Sequence, residues 1–268
     1  MTSFRFARSV RAGTLRCVVQ LVATLATAAA ARPVEPPPSW AVPKPTAEQE
    51  GQALAAELLA QRPALKTTGF LRRRDSDGKW LPAVPVRFEV IDSGRDWQSI
   101  YQVASSPEGP AETLVIAQSP TVPNHYEFSR AGTKGSGATT RELNSDEAAI
   151  PFADSDFWLC DLGLDFLHWP QQRITKTEMR KGRSCRVLES VNPHPRPGAY
   201  AKVLSWIDIE KRGLLRAEAY GADGKMIKEF SIGSFKKVNG RWQLKSMEIR
   251  NERTDARTRL EFDLEVAD

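Results

Sequence analysis

From Val84 onward the chain keeps switching between apolar and polar residues with a period of two. Val84, Val86, Phe88 and Val90 alternate with Arg87 and Glu89; Leu260, Phe262, Leu264 and Val266 alternate with Arg259, Glu261, Asp263 and Glu265. Successive side chains of a strand point to opposite faces, so this pattern specifies strands with one buried face. Further strand-like runs lie at 96–104, 112–118, 124–130, 171–180, 184–190, 200–209, 213–220, 225–235 and 241–250. Turn pairs separate many of them: Asp77-Gly78, Lys181-Gly182, Asp223-Gly224 and Asn239-Gly240. In 241–250 the apolar phase slips from Trp242 and Leu244 to Met247 and Ile249, which marks a bulge. Short connections between alternating strands predict an antiparallel meander, and about ten such strands curl into one strongly curved sheet or partial barrel. The Gly- and Thr-rich stretch 132–140 reads as a mobile loop, and it lacks the spacing of a phosphate-binding loop.

The first residues follow a different logic. Arg5, Arg8, Arg11 and Arg16 precede an apolar stretch from Cys17 to Leu25, and Ala28 to Ala31 supply small residues. Residues 1–31 therefore read as a secretory signal peptide. Residues 32–45 hold six prolines and read as an extended linker. Thr46, with Gln49 three positions on, opens a helix carrying Leu54, Leu58 and Leu59, which Pro63 ends. Residues 46–268 then form one domain.

The leader changes the meaning of the charge. The whole chain carries 38 basic and 33 acidic residues, a net charge of +5. Removing 1–31 takes away four arginines and no acid, leaving 34 basic residues against 33 acidic, so the exported domain is nearly neutral. No nucleic-acid partner is expected on that balance. Cleavage also leaves Cys160 and Cys185 as the only cysteines. In an oxidising compartment they have a single intramolecular pairing available, worth about 3 kcal/mol in the chain-entropy account. Two separate buried thiols are the alternative.

Residues 154–169 (DSDFWLCDLGLDFLHW) interrupt the strand pattern and read as a helix stopped by Pro170. On a helix, Trp158, Leu162, Phe166 and Trp169 form one stripe, and Cys160, Leu164 and Leu167 an adjacent one. Asp161, Asp165 and His168 share a third face. That strip is either a solvated surface or a set of groups for metal binding or hydrolysis; with only His125 and His194 as further histidines, no metal site or catalytic set assembles and no cofactor is implied. The apolar stripes are either core or the lining of a greasy cavity. Strand 200–209 is apolar on both faces, with Val203, Ile207 and Ile209 on one and Leu204 and Trp206 on the other. This is more apolar lining than a compact core requires, and it would suit acyl chains.

The C-terminal half resembles the outer-membrane lipoprotein-sorting, or LolA-like, proteins. The resemblance rests on the order and spacing of Ser155–Leu162 (SDFWLCDL), Gly182–Val187, Tyr200–Asp208, Ala219–Lys228 and Gly240–Phe262, and spans roughly 150–266. It implies export to the periplasm and a mainly β fold of the α+β kind, an unclosed β-barrel with helices packed across its concave face. It also implies a monomeric, non-enzymatic carrier that shields lipoprotein acyl chains or other lipid and can meet envelope transport proteins. The Pro-rich stretch 32–45 departs from that pattern. The residues expected to line the lipid site are Phe157, Trp158, Leu162, Phe166, Trp169, Leu204 and Trp206. The alternative is a structural or interaction module of the cell envelope whose sheet is fully packed.

Overall fold

The computed structural model describes residues 44–63, 66–107, 109–132, 137–238 and 241–264. The expected leader 1–31, the linker up to Pro43, and Glu265 and Val266 of the last alternating run lie outside these residues. Helix α1 (Ala47–Leu59) starts as its sequence specifies. The Gln49 amide donates to Thr46 Oγ1 at 3.2 Å, and the Thr46 amide donates to Gln49 Oε1 at 2.8 Å, so two orphan donors are satisfied reciprocally.

Thirteen strands follow in the described residues: β1 (Lys66–Arg74), β2 (Val84–Ser93), β3 (Asp96–Val103), β4 (Glu112–Gln118), β5 (His125–Arg130), β6 (Thr139–Asn144) and β7 (Gln171–Arg180), then β8 (Arg183–Val191), β9 (Lys202–Asp208), β10 (Leu214–Tyr220), β11 (Met226–Val238), β12 (Arg241–Asn251) and β13 (Arg257–Asp263). They form one antiparallel sheet in the order β6-β5-β4-β3-β2-β1-β13-β12-β11-β10-β9-β8-β7. Two meanders are thus joined where β1 pairs with β13, and β6 and β7 are left as opposite, unpaired edges. The sheet is not closed.

The phase slip in β12 is a real irregularity. Ile232 pairs with Met247 and Phe235 with Leu244, while Gly233 and Lys245 have no counterpart in the register. A Cβ on Gly233 would stand 2.5 Å from Ser246 Oγ and would displace that hydroxyl, while the Ser246 backbone lies at an ordinary 3.4 Å. Two strands were not expected. β1 buries only Gly69, Leu71 and Arg73 along its inner face, and β6 buries Leu143 alone, so neither shows an apolar alternation. β6 also takes up Thr139 and Thr140 from the stretch expected to be a loop; Thr133 to Ser136 lie outside the described residues.

The long connection from β6 to β7 departs from the expected single helix. It contains a 3-10 turn (Ser145–Glu147), the one-turn helix α2 (Leu159–Gly163) and a second 3-10 turn (Asp165–His168). Leu164 separates the last two with a left-handed φ of 52°. The segment is apolar around its circumference because it is buried on several sides, and this mimicked a helix with two apolar stripes.

This connection touches both meanders. The Tyr126 hydroxyl of β5 donates to Asp165 Oδ1 at 2.5 Å, while the Lys228 ammonium of β11 donates to Asp161 Oδ2 at 3.1 Å. β5 and β11 are seven strand spacings apart in the sheet, about 34 Å if it were flat. Asp161 and Asp165 are four residues apart and can span at most about 14 Å. The sheet curves around the connection: Phe88 of β2 and Phe262 of β13, on either side of β1, bring their ring centroids to 5.7 Å. Helix α1 lies against β7, close enough that a Cβ on Gly51 would meet the Arg173 backbone at 2.4 Å.

Candidate functional site

The bend leaves a cavity of about 340 Å³ between the two meanders. Its walls come from inward-facing positions of the strands. Phe88 of β2 with Trp97 and Tyr101 of β3 supply one side; Ile207, Phe230, Ile232, Met247 and Phe262 supply the other. The crossing connection contributes Leu162, Leu164, Phe166 and Leu167, and the end of α1 contributes Leu58 and Leu59. Strand periodicity puts these residues there: Trp97, Ser99 and Tyr101 are every second residue of β3 and all are buried.

The polar groups of the cavity are few and mostly engaged. Gln118 Oε1 accepts from Trp97 Nε1 at 2.7 Å and from Ser99 Oγ at 2.6 Å. The Arg62 guanidinium lies 5.5 Å from the Trp97 ring centroid and donates to Asp92 Oδ2 at 2.5 Å and to the Gly94 carbonyl. His168 lines the same cavity with Nε2 buried and unpartnered, and burial lowers its pKa, which favours the neutral imidazole.

Asp161, Asp165 and His168 do not share a face, because Leu164 turns the chain between the first and the other two. Asp161 accepts from the Trp158 amide at 2.7 Å, from the Tyr200 hydroxyl at 2.9 Å and from Lys228. Lys228 is itself buried, its ammonium 3.5 Å from the Trp158 ring centroid, and burial lowers its pKa against the pull of Asp161. Asp165 accepts from Tyr126 and from Asn124 Nδ2 at 2.6 Å, and burial raises its pKa to about 7. The two carboxylates fasten the connection to opposite meanders. They are neither a solvated strip nor a paired acid and base. Among the described residues, no group of three or more His, Cys, Asp or Glu side chains could hold a metal ion.

Of the seven residues expected to line a lipid site, Leu162 and Phe166 border the cavity. Phe157 is fully buried in the main core. Trp158 stacks on Tyr200 with ring centroids 4.7 Å apart. Trp169 packs against the second core beside α1. Leu204 and Trp206 sit on the opposite face of the sheet with Cys185 and Val187, and Arg180 and Arg216 each place a guanidinium 5.6 Å from the Trp206 ring centroid. The apolar second face of β9 is thus a small outer cluster beneath two arginines. The aromatic residues that line the cavity, Phe88, Trp97, Tyr101, Phe230 and Phe262, lie on strands and are marked in the sequence by alternation, outside the 154–169 segment.

Cys160 and Cys185 are both free. Cys160 packs from α2 against the two large cores, whereas Cys185 points to the outer cluster, so the expected bond would have to pass through the sheet.

An open antiparallel sheet bent around an apolar cavity defines a half-barrel class of protein, and comparison with known proteins agrees. The chain has the LolA-like fold. A crystal structure of a DUF1329 family protein from Desulfovibrio piger superposes with a TM-score of 0.66 at 16% identity, covering 84% of this chain and 96% of that one. A putative outer membrane lipoprotein-sorting protein domain from Vibrio parahaemolyticus gives a TM-score of 0.65 at 16% identity, covering 81% and 92%. A LolA superfamily protein from Nitrosomonas europaea gives 0.58 at 14% identity, covering 84% and 95%. A family model described only as that of an uncharacterized protein matches residues 137–266. A search of the curated proteins gave no match. Among the described residues, no helix is long and apolar enough to cross a membrane.

Proposed function

We propose that this chain is a periplasmic, non-enzymatic carrier that buries acyl chains of lipoproteins or other lipids in the cavity between its two meanders. In this reading residues 1–31 direct export, 32–45 form a linker, and 46–268 act as a monomeric half-barrel with the 145–169 connection and α1 on its concave face. The observation that carries the reading is the cavity itself: about 340 Å³, walled by inward aliphatic and aromatic residues from strands on both sides of the β1–β13 seam. That volume lies at the small end of the roughly 300–1,000 Å³ typical of ligand sites. Each methylene transferred into it is worth about 0.8 kcal/mol, so reversible binding needs no covalent chemistry. The similarity to a putative lipoprotein-sorting domain supports the same reading.

Native mass spectrometry of the protein recovered from its exporting host tests it. Bound lipid or lipoprotein is expected on the wild type and depleted from Leu162→Trp, which fills the cavity from its floor. A wild-type protein that carries no lipid, and takes up no fluorescent long-chain fatty acid, favours the alternative of a packed envelope module.

A further inference from the structure

The β11–β12 hairpin is longer than the sheet it belongs to. β10 pairs with β11 only as far as Ser231, and β13 pairs with β12 only from Ser246 onward. Beyond both points the two strands pair with each other alone, from Phe235 opposite Leu244 to Val238 opposite Arg241. The three steps from Phe235 to Val238 extend the ribbon about 10 Å past its paired neighbours, and the Lys236 ammonium donates to the Leu264 carbonyl at its base. The bulge at Gly233 and Lys245 sits where the ribbon leaves the sheet, the position where such an irregularity re-aims a strand.

The ribbon is also charged in one sense. Between Glu229 and Glu248 there is no acidic residue, while Lys236, Lys237, Arg241 and Lys245 are basic. Lys237 and Lys245 are exposed, and Lys181 reaches the base of the ribbon by donating to the Ile232 carbonyl at 3.4 Å. Phe235 is 42% exposed. Phe235, Gln243 and Leu244 also line the cavity, so the ribbon stands at its edge.

We propose that this overhanging ribbon docks the protein on an anionic lipid bilayer, with Lys237 and Lys245 against headgroup phosphates and Phe235 at the level of the upper acyl chains. Basic side chains near an anionic leaflet and an aromatic ring at its boundary are the two contributions a reversible interfacial anchor combines. The exported domain is nearly neutral, so general basicity would not bring it to a membrane and a local group of cations has to do so. The inference does not require the cavity to carry lipid, because Lys237 and Lys245 are exposed and act at the bilayer surface; Phe235, which also lines the cavity, is read only for vesicle binding.

Vesicle co-sedimentation of the secreted protein tests it, using phosphatidylcholine alone and phosphatidylcholine mixed with phosphatidylglycerol, at low and high salt. The wild type is expected to partition onto the anionic vesicles and to be released by salt as the charges are screened. Each lysine removed should weaken partitioning about five-fold, so Lys237→Ser with Lys245→Ser together should nearly abolish it at matched lipid. Phe235→Ser should weaken it further. Lys79→Ser with Lys225→Ser, removing two exposed lysines from turns away from the ribbon, should leave it unchanged; thermal melts of all variants establish that each is folded. Partitioning indifferent to phosphatidylglycerol, or retained after Lys237→Glu with Lys245→Glu, overturns the proposal. So does a wild type that ignores both vesicles, an outcome that would point to an acidic protein surface. Lipid detected in the cavity by mass spectrometry is read separately and bears on neither result.

Discussion

Lys228 and Asp161 face each other across 3.1 Å with side chains 2% and 10% exposed, an ion pair almost entirely withdrawn from water. Lys228 comes from the sheet and Asp161 from the connection that crosses it. Asp161→Asn leaves a buried ammonium without its carboxylate and should cost about 3–5 kcal/mol. Asp161→Asn combined with Lys228→Met removes both charges and should recover a large part of that loss. Urea denaturation of the two single variants and the double gives the coupling directly; additive losses would mean that the pair does not fasten the connection.

Asp165 should make stability depend on pH in an unusual direction. Its carboxyl titrates near 7 in the folded protein, raised by burial from an ordinary value of 3.8. The folded state therefore holds a proton that the unfolded state has released between those values. The contribution is fully present below about pH 4 and is lost as pH rises through 7, by at most about 1.4 kcal/mol per pH unit. Asp165→Asn keeps an acceptor for Tyr126 and Asn124 and should remove this slope. Unfolding free energies at a series of pH values for both proteins give the difference; parallel curves would refute the assignment.

Gly163 is a packing requirement. A Cβ there would lie 2.2 Å from the Tyr126 hydroxyl and 2.9 Å from Asn124 Nδ2, the two groups that bind Asp165. Gly163→Ala should destabilise the protein by about 1–3 kcal/mol through this overlap. Calorimetry is the measurement, and Gly94→Ala, at a β2–β3 turn glycine with open space around it, reports the cost of backbone strain alone.

Cys160 and Cys185 should resist alkylation in the folded protein and react once it is denatured, without added reductant. Burial, with Asp161 and Asp165 nearby, pushes the Cys160 thiol well above its ordinary range, and burial raises that of Cys185. Peptide mapping after alkylation in denaturant should find both sites labelled. A linked Cys160–Cys185 peptide would show that the two thiols do meet.

Most of the sheet was legible because half-buried strands announce themselves by alternation, and the capping box of α1 did the same for the helix. β1 was silent for a physical reason: its inner face carries Gly69, where a Cβ would meet the Glu261 carbonyl at 2.0 Å, and Arg73, which donates to the Ala153 carbonyl at 3.3 Å. β6 was silent because an edge strand buries little. The 154–169 segment misled because burial on several sides and helical amphipathicity look alike over sixteen residues when one residue, Leu164, takes a left-handed turn that β-branching or glycine would not have flagged. The cavity was half visible. Its existence followed from an excess of apolar residues, but the pairing of distant strands decides which of them meet, and local spacing does not contain that information.

The seam between β1 and β13 has a consequence in time. The Thr67 hydroxyl donates to the Asp263 carbonyl across 196 positions of sequence, and Thr258 to Asp156 across 102. Neither meander can acquire its inner neighbour, and the cavity cannot gain its second wall, until the last strand has been made and brought back to the first. Loops of that length must be closed before the contacts that stabilise them exist, which places this chain among the slow folders. The N-terminal meander therefore has to wait with an apolar face uncovered, and the step that completes the binding space is also the step that ends its exposure.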